Sequence, residues 1–578
     1  MHLAILLTVS VVLAQAGNAE PDAASGSGAP LKVRNNFVTE LACLNAAPEK
    51  EVTFSNPRAG WVFFSAESPT EPRVFLDADA ASLIWRANPA ARAYEAMRFL
   101  AEGDHRLRLE PAAALALSVR TVPELAYCYY PANPHIAPFG PYDWNFVTRH
   151  VLPHVNTLIS GGGASAEEFE QWRREGRQWI ANASLPGLSS AAAPCADEVF
   201  AAWAKNPGLT KPGFGGMIVD EFLDASPEHY RAWTEALQRV LAAPGFQGRT
   251  FYAWSGTIFE QKQGMEFCRT IMDRGQRFAW EAYLREDATL KAAERRIDHD
   301  LCRDFTQWRK AVPGVEQRMM LTLGYLCAPP ESLNVDPGTD YQVYLDLQFQ
   351  QLANNPIFAN LYGLMEYSAS YADEESLRFA HKLIRHYCIE GKRERFTDDP
   401  YVLPHLKNPD FREGLKKWHV EAAEAGAVAA GSIKDFSWLQ GRYPKMKQGD
   451  SFCRMKRLDK GPNRVQQTVH ALEPGRLYSV KAIAADLRDL AKEQAVALNL
   501  ELTGVELLSD YDIAYAYPSC YSHESGPYTR EHPAWFTLYR KVFRATAKHA
   551  ELSLSDAACP PGQELAVNFI EVQPFHAP

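Results

Sequence analysis

The sequence predicts a multidomain chain: a β-sandwich first, a (β/α)8 barrel at the centre and a second β-rich unit at the end. Three observations predict this. The chain has 578 residues, more than one ordinary domain holds. Short β-type runs separated by turn residues fill about 35–120 and return after about 395. Between them, over roughly 270 residues, eight strand-like runs alternate with helix-like segments, which matches a (β/α)8 barrel in count and size.

The opening run MHLAILLTVSVVLAQAGNAE has a short apolar stretch, Leu3 to Ala14, followed by small-residue cleavage options, and reads as a signal peptide over 1–19. It lacks the length to span a bilayer, and no later stretch is apolar enough to do so. An exported protein, secreted or periplasmic, is therefore expected. Residues 20–34, rich in Ala, Ser, Gly and Pro, read as a linker. The runs FVTELACL, EVTFS, GWVFFSA, RVFLDA, HRLRLE and ALSVRTV then outline a β-sandwich over 35–122, with one helical excursion expected near NPAARAYEAMRFL.

The barrel is expected over 123–395. Its strands are read at 124–130, 154–160, 177–184, 215–222, 249–254, 276–283, 317–326 and 357–367. Helical periodicity follows the second, fourth, sixth, seventh and eighth. In the last helix Leu377, Phe379, Ala380, Leu383, Ile384 and Tyr387 make one apolar face. Ser226-Pro227 is a helix start, with Ser as N-cap and Pro in the first turn. The rival architecture, an open doubly wound sheet, would place a Gly-rich fingerprint after the first strand, and GxGxxG is missing there.

Composition narrows the function classes. A net charge of -10 and a pI of about 5.9 argue against a nucleic-acid partner, which would want a basic stripe. An aromatic share of 11%, with 13 Trp and 24 Tyr, supplies rigid rings for core packing and for stacking on sugar faces. Ten Cys are scattered singly without CxxC or other metal-type spacing, so no metal and no cofactor are expected. The chain contains no GxSxG, HExxH or P-loop.

In a (β/α)8 barrel the site lies at the C-terminal ends of the strands, so strand ends become candidates. GGMIVDEF, the fourth, ends in Asp220 and Glu221. The sixth ends FAWEAY, placing Trp280 and Glu281 at its tip, and the eighth ends with Glu366 and Tyr367. Aromatic candidates for substrate binding are Tyr129 on the first strand, Trp254 on the fifth and Tyr325 on the seventh. GPYDWNF adds Asp143 and Trp144, although Asp143 also suits the N-cap of the next helix. Asn145, Asn156 and Asn182 are polar candidates for reading hydroxyls. Paired carboxyls of this kind suit glycosidic cleavage, where one must be protonated and the other ionised. Burial and mutual repulsion separate their pKa values.

After 395 the runs KNPDFREGLKKWHV, LEPGRLYSVKAIAADL and AVNFIEVQPF resemble the entry, middle and closing strands of carbohydrate-binding modules of the galactose-binding type. That resemblance implies a C-terminal jelly roll over 396–578. Trp438 and Tyr443, on the run FSWLQGRYP that reads as an exposed loop, are candidates for sugar stacking, while Trp418 suits core packing better. The barrel resembles retaining barrel glycosidases. The commonest layout wants a carboxylate on strand seven, which here ends LTLGYLCAPPE. Acids on strands four and six look more like the α-galactosidase type, which implies a nucleophile from strand four and an acid/base from strand six. The expected function is an exported glycoside hydrolase with a polysaccharide or glycoconjugate substrate. The alternative is a non-catalytic carbohydrate-binding or adhesion protein with a degenerate barrel.

Overall fold

A computed structural model describes residues 31–44, 51–89, 91–110, 116–129, 133–160, 165–367 and 369–578. The expected signal peptide and most of the expected linker lie outside them. No helix among the described residues is long and apolar enough to cross a membrane.

The centre is a closed barrel of eight parallel strands. These are β1 (Glu124–Cys128), β2 (Thr157–Ser160), β3 (Gln178–Ala183), β4 (Phe214–Phe222), β5 (Thr250–Ser255), β6 (Arg277–Ala282), β7 (Met319–Gly324) and β8 (Gly363–Tyr367). The ring closes where β8 pairs with β1, Met365 opposite Ala126. A helix follows every strand. Three of them go unnamed in the sequence reading: Trp144–His150, Ala196–Ala204 and Lys262–Asp273, after β1, β3 and β5; the last carries a clear apolar face of Phe267, Cys268 and Ile271.

Strand alternation sorts the side chains into two layers. Ala126, Cys128, Ile159, Ile180, Ile218, Tyr252, Trp254, Ala279, Met320 and Met365 fill the interior. Their neighbours, including Tyr127, Met217, Val219, Trp280, Leu321 and Leu364, pack outward against the helices. Gly216 is required where β4 meets β5, because a Cβ there would sit 1.9 Å from the Thr250 carbonyl oxygen.

Before the barrel, a six-stranded and a three-stranded antiparallel sheet share one apolar cluster, with Val62, Phe64 and Val119 meeting Phe54, Val74 and Leu107. The helical excursion expected near 88–100 is instead strand Ala93–Leu100, paired along its whole length with Gly60–Glu67. Cross-strand pairing and burial of Ala96, Met97 and Leu100 override its helix propensity.

After the barrel, a four-stranded and a seven-stranded antiparallel sheet enclose a second cluster that includes Trp418, Val480 and Leu552. The other face of the larger sheet is also covered. Phe452, Ile483, Phe536 and Leu538 pack with Ile136, Phe139 and Ala328 from the loops after β1 and β7. Buried charges fix the join: Lys481 Nζ lies 3.1 Å from Asp373 Oδ2 and 3.3 Å from Glu571 Oε2, and Arg540 pairs with Glu374 at 2.9 Å. Asp373 also caps the helix after β8 through the Ser376 amide. The C-terminal unit therefore sits on the strand-end face of the barrel.

Candidate active site

The first candidate, the Asp220-Glu221 pair, is shaped by a break in β4. The β4–β5 register shifts between Val219 and Phe222, and Glu221 has φ 66°. Val219 and Phe222 both point outward, Phe222 into Trp233 and Phe267. An even count of residues separates them, so the bulge places both carboxylates at the rim rather than splitting them between faces. A left-handed non-glycine residue is strained, and strain of this kind collects at functional sites. Asp220 continues the inward parity of Ile218. Glu221 is exposed.

On β6, Ala279 faces inward and so does Glu281, two residues on. The two carboxyls feel each other. Burial, then repulsion from Asp220 and Glu221, pushes Glu281 up to about 8, while the Trp254 indole favours its ionised form. Burial, then Glu221, pushes Asp220 up to about 7. Groups perturbed by both burial and a like charge, in an open cleft, are what acid/base chemistry requires.

The cleft beside Asp220 and Glu221 holds about 660 Å³, and Asn182, Ser184, Leu188 and Ser189 line it as well. Asn182 Oδ1, Thr322 Oγ1 and the Tyr283 hydroxyl are buried without a hydrogen-bond partner. All three follow inward positions of β3, β7 and β6. Orphaned polar atoms at a strand-end face are costly unless water or a ligand meets them. Tyr367, at the end of β8, stacks on Tyr283 at 5.8 Å and meets Trp254 edge-on at 5.0 Å.

Several expected site residues lie elsewhere. Glu366 faces the outer layer, where His381 Nε2 is 3.1 Å away and both side chains are sealed. Burial raises Glu366 well above the carboxylate range and lowers His381 to about 4, so both are neutral there. His381 Nδ1 donates to the Leu377 carbonyl, so Nε2 turns its lone pair toward the Glu366 carboxyl, and neither that nitrogen nor the carboxyl oxygens has a hydrogen-bond partner. Strand parity excludes Glu366 from the cleft because the inward residues of β8 are Met365 and Tyr367. The same parity turns Trp280 outward onto Phe305 at 6.2 Å and buries Tyr325 and Tyr129 in the outer layer. Trp144 packs edge-on against Tyr129 at 5.9 Å. Asp143 accepts from the Phe146 amide as an N-cap. Asn156 is spent on the Leu125 amide and the Pro123 carbonyl.

Trp438 lies on the short helix Phe436–Leu439, and the segment around it is buried rather than an exposed loop. One face of its ring is taken by His523, 3.8 Å away and 12° from parallel. The C-terminal unit and the loop after β7 deliver further residues to the mouth: Tyr443, a stacking candidate from the sequence, and Glu331 and Tyr521, which sequence reasoning missed. Glu331 and Glu281 both act on the Tyr443 phenol, raised by burial and then by these charges. Tyr521, 62% exposed, is raised by burial and then by Cys520, Glu331 and Glu221. Only tertiary contact places these residues there, and local pattern carries no signal for it.

The fold and site thus define a multidomain, TIM-barrel-like protein with coupled carboxyls on the strand-end face. No known protein family and no curated protein matches the chain. Among solved structures, a family 51 α-L-arabinofuranosidase from Bifidobacterium longum is 13% identical, with 75% of this chain and 96% of that one covered and a TM-score of 0.25. A putative chitinase A from Streptomyces coelicolor is 10% identical over 45% of this chain and 96% of its own, at TM-score 0.29. A CBM61 in complex with β-1,4-galactotriose is 16% identical over 29% and 97%, at TM-score 0.17. Similarities this weak assign no residue and no activity.

Proposed function

We propose that this chain is an exported glycoside hydrolase working at the strand-end face of its barrel, with 35–122, 123–395 and 396–578 as its three domains. The observation that carries the reading is the pair Asp220 and Glu281, on alternate strands of the barrel, raised to about 7 and about 8. At neutral pH such a pair shares about one proton. Glu281, the weaker acid, holds it and protonates the departing glycosidic oxygen. Asp220, ionised, attacks the anomeric carbon or activates water. Glu221 keeps the local charge negative and so holds the proton on its neighbour. Tyr367, Tyr283, Tyr443 and Tyr521 supply faces for sugar rings, and Asn182 and Thr322 offer partners to hydroxyls.

The alternative, a sugar-binding barrel without chemistry, would keep the aromatic mouth and need no carboxyl pair poised near neutrality. A hydrolysis screen over polysaccharides and aryl glycosides, run with wild type and Asp220→Asn, separates the two. Turnover lost by about 10²–10⁴-fold in the variant supports the hydrolase. Sugar binding without turnover in the wild type replaces it with the binding protein.

A further inference from the structure

A second polar cluster lies at the mouth, apart from the carboxylate pair. Glu331 belongs to the hairpin after β7, where Glu331–Ser332 pairs with Cys327–Ala328. Cys520 and His523 come from the C-terminal unit, on the loop after strand Ile513–Pro518. One ligand atom from each of the three lies within 4.8 Å of the others. Cys520 Sγ is 3.7 Å from Glu331 Oε2 and accepts from Ser522 Oγ at 3.5 Å.

His523 decides what this cluster is for. Its side chain is fully buried, stacked on Trp438. Nδ1 lies 2.8 Å from the Trp438 carbonyl, which can only accept, so Nδ1 carries the proton and Nε2 presents a lone pair. That Nε2 is buried and has no hydrogen-bond partner. A histidine held by a backbone carbonyl on one nitrogen, with the other bare and aimed among a thiol and a carboxylate, has the outer-shell arrangement of a metal ligand.

We propose that Glu331, Cys520 and His523 bind a thiophilic divalent cation, Zn²⁺ being the best fit, and leave one coordination position toward the barrel mouth. Thiolate and imidazole donors select such an ion over Ca²⁺ or Mg²⁺. Bonds of about 2.0–2.3 Å put tetrahedral ligand atoms about 3.3–3.8 Å apart, so the Cys520–Glu331 separation already fits and His523 has to close by an ångström or so. The ion would clamp the C-terminal loop to the barrel hairpin, in reach of Tyr371, Tyr443 and Tyr521, on which the Glu331 charge acts. Sequence spacing hides the site because Glu331 and Cys520 lie 189 positions apart. The proposal does not depend on glycoside hydrolysis.

The test uses the full chain with Cys43 and Cys195, the two exposed cysteines, replaced by serine. After chelation and under a phosphine reductant, Co²⁺ alone is titrated. The expected result is one equivalent bound with a thiolate-to-cobalt charge-transfer band, displaced by Zn²⁺. Cys520→Ser should abolish the band. His523→Gln and Glu331→Gln should each weaken binding by more than the roughly 10–100-fold cost of losing an outer-shell partner. Circular dichroism checks each variant for folding, and half-buried Glu331 tolerates glutamine even where the Cys520 variant does not fold. A wild type without the band, or an unchanged affinity in Glu331→Gln, overturns the proposal.

Discussion

Glu281 lies near the end of β6 and Glu366 near the end of β8, on either side of β7; Glu281 is half-buried, Glu366 is buried, and loss of water raises both carboxyls. They differ in what surrounds them. Glu281 faces the mouth, with two other carboxylates acting on it and a cleft beside them. Glu366 faces the helix layer and is matched by His381 in a sealed neutral pair. Glu124, at the opposite end of β1, shows a third solution: the Tyr252 and Thr157 hydroxyls donate to its Oε1 at 2.8 and 3.0 Å. A perturbed carboxyl is therefore not a site in itself. Access together with an unbalanced like charge separates the candidate from the structural acids.

The sharpest break of this comparison is to neutralise each glutamate in turn. Glu281→Gln should lower turnover by about 10²–10⁴-fold with the fold retained. Glu366→Gln, which keeps that buried position neutral, should leave turnover within about twofold and shift stability by about 1 kcal/mol, read by thermal unfolding. Equal losses in both would remove the distinction.

The pH dependence is the next test. Activity needs one proton on the pair, so kcat/KM should peak between about pH 7 and 8 and fall on both sides. Stability carries the same signature. Unfolded, the two carboxyls titrate near about 4; folded, near about 7 and 8, so the folded chain holds more protons in between. Their contribution is full below about pH 4, declines as pH rises, and is lost above about 8. Asp220→Asn should therefore melt at a higher temperature than wild type at pH 9, with the gap shrinking toward pH 5. A gap that widens on acidification would mean Asp220 is a stabilising ionised group instead.

Smaller effects test the reach of the mouth. Tyr443→Ala and Tyr521→Ala should raise KM by up to about 10-fold, one stacking contact's worth, with little change in kcat. An unchanged KM on every substrate would confine recognition to the barrel. The smallest effect belongs to Asp143→Ala, which removes an N-cap and should cost about 1 kcal/mol of stability without touching turnover.

The barrel was legible because its signal is local. Apolar runs such as Met217-Ile218-Val219, helix starts such as Ser226-Pro227 and a strand–helix count of eight are carried by short windows of chain. The position of Asp220 and Glu281 at strand ends was legible for the same reason. What a strand end faces was not. Parity alone should have set Glu366, Trp280 and Tyr325 outward, yet parity needs a fixed origin, and sequence does not supply the inward residue from which to count. The bulge at Asp220-Glu221 breaks parity altogether, since the β4–β5 register decides it and no residue in GGMIVDEF announces it.

By itself, then, the sequence determined that this chain builds a (β/α)8 barrel between β-rich flanks and offers acids at strands four and six, because period and turn chemistry are properties of neighbouring residues. Tertiary structure alone decided which acids act on one another, and it brought Glu331, Tyr443, Cys520, Tyr521 and His523 to the same mouth. Those meetings join segments far apart in sequence, and electrostatic coupling falls with distance in space rather than with separation along the chain.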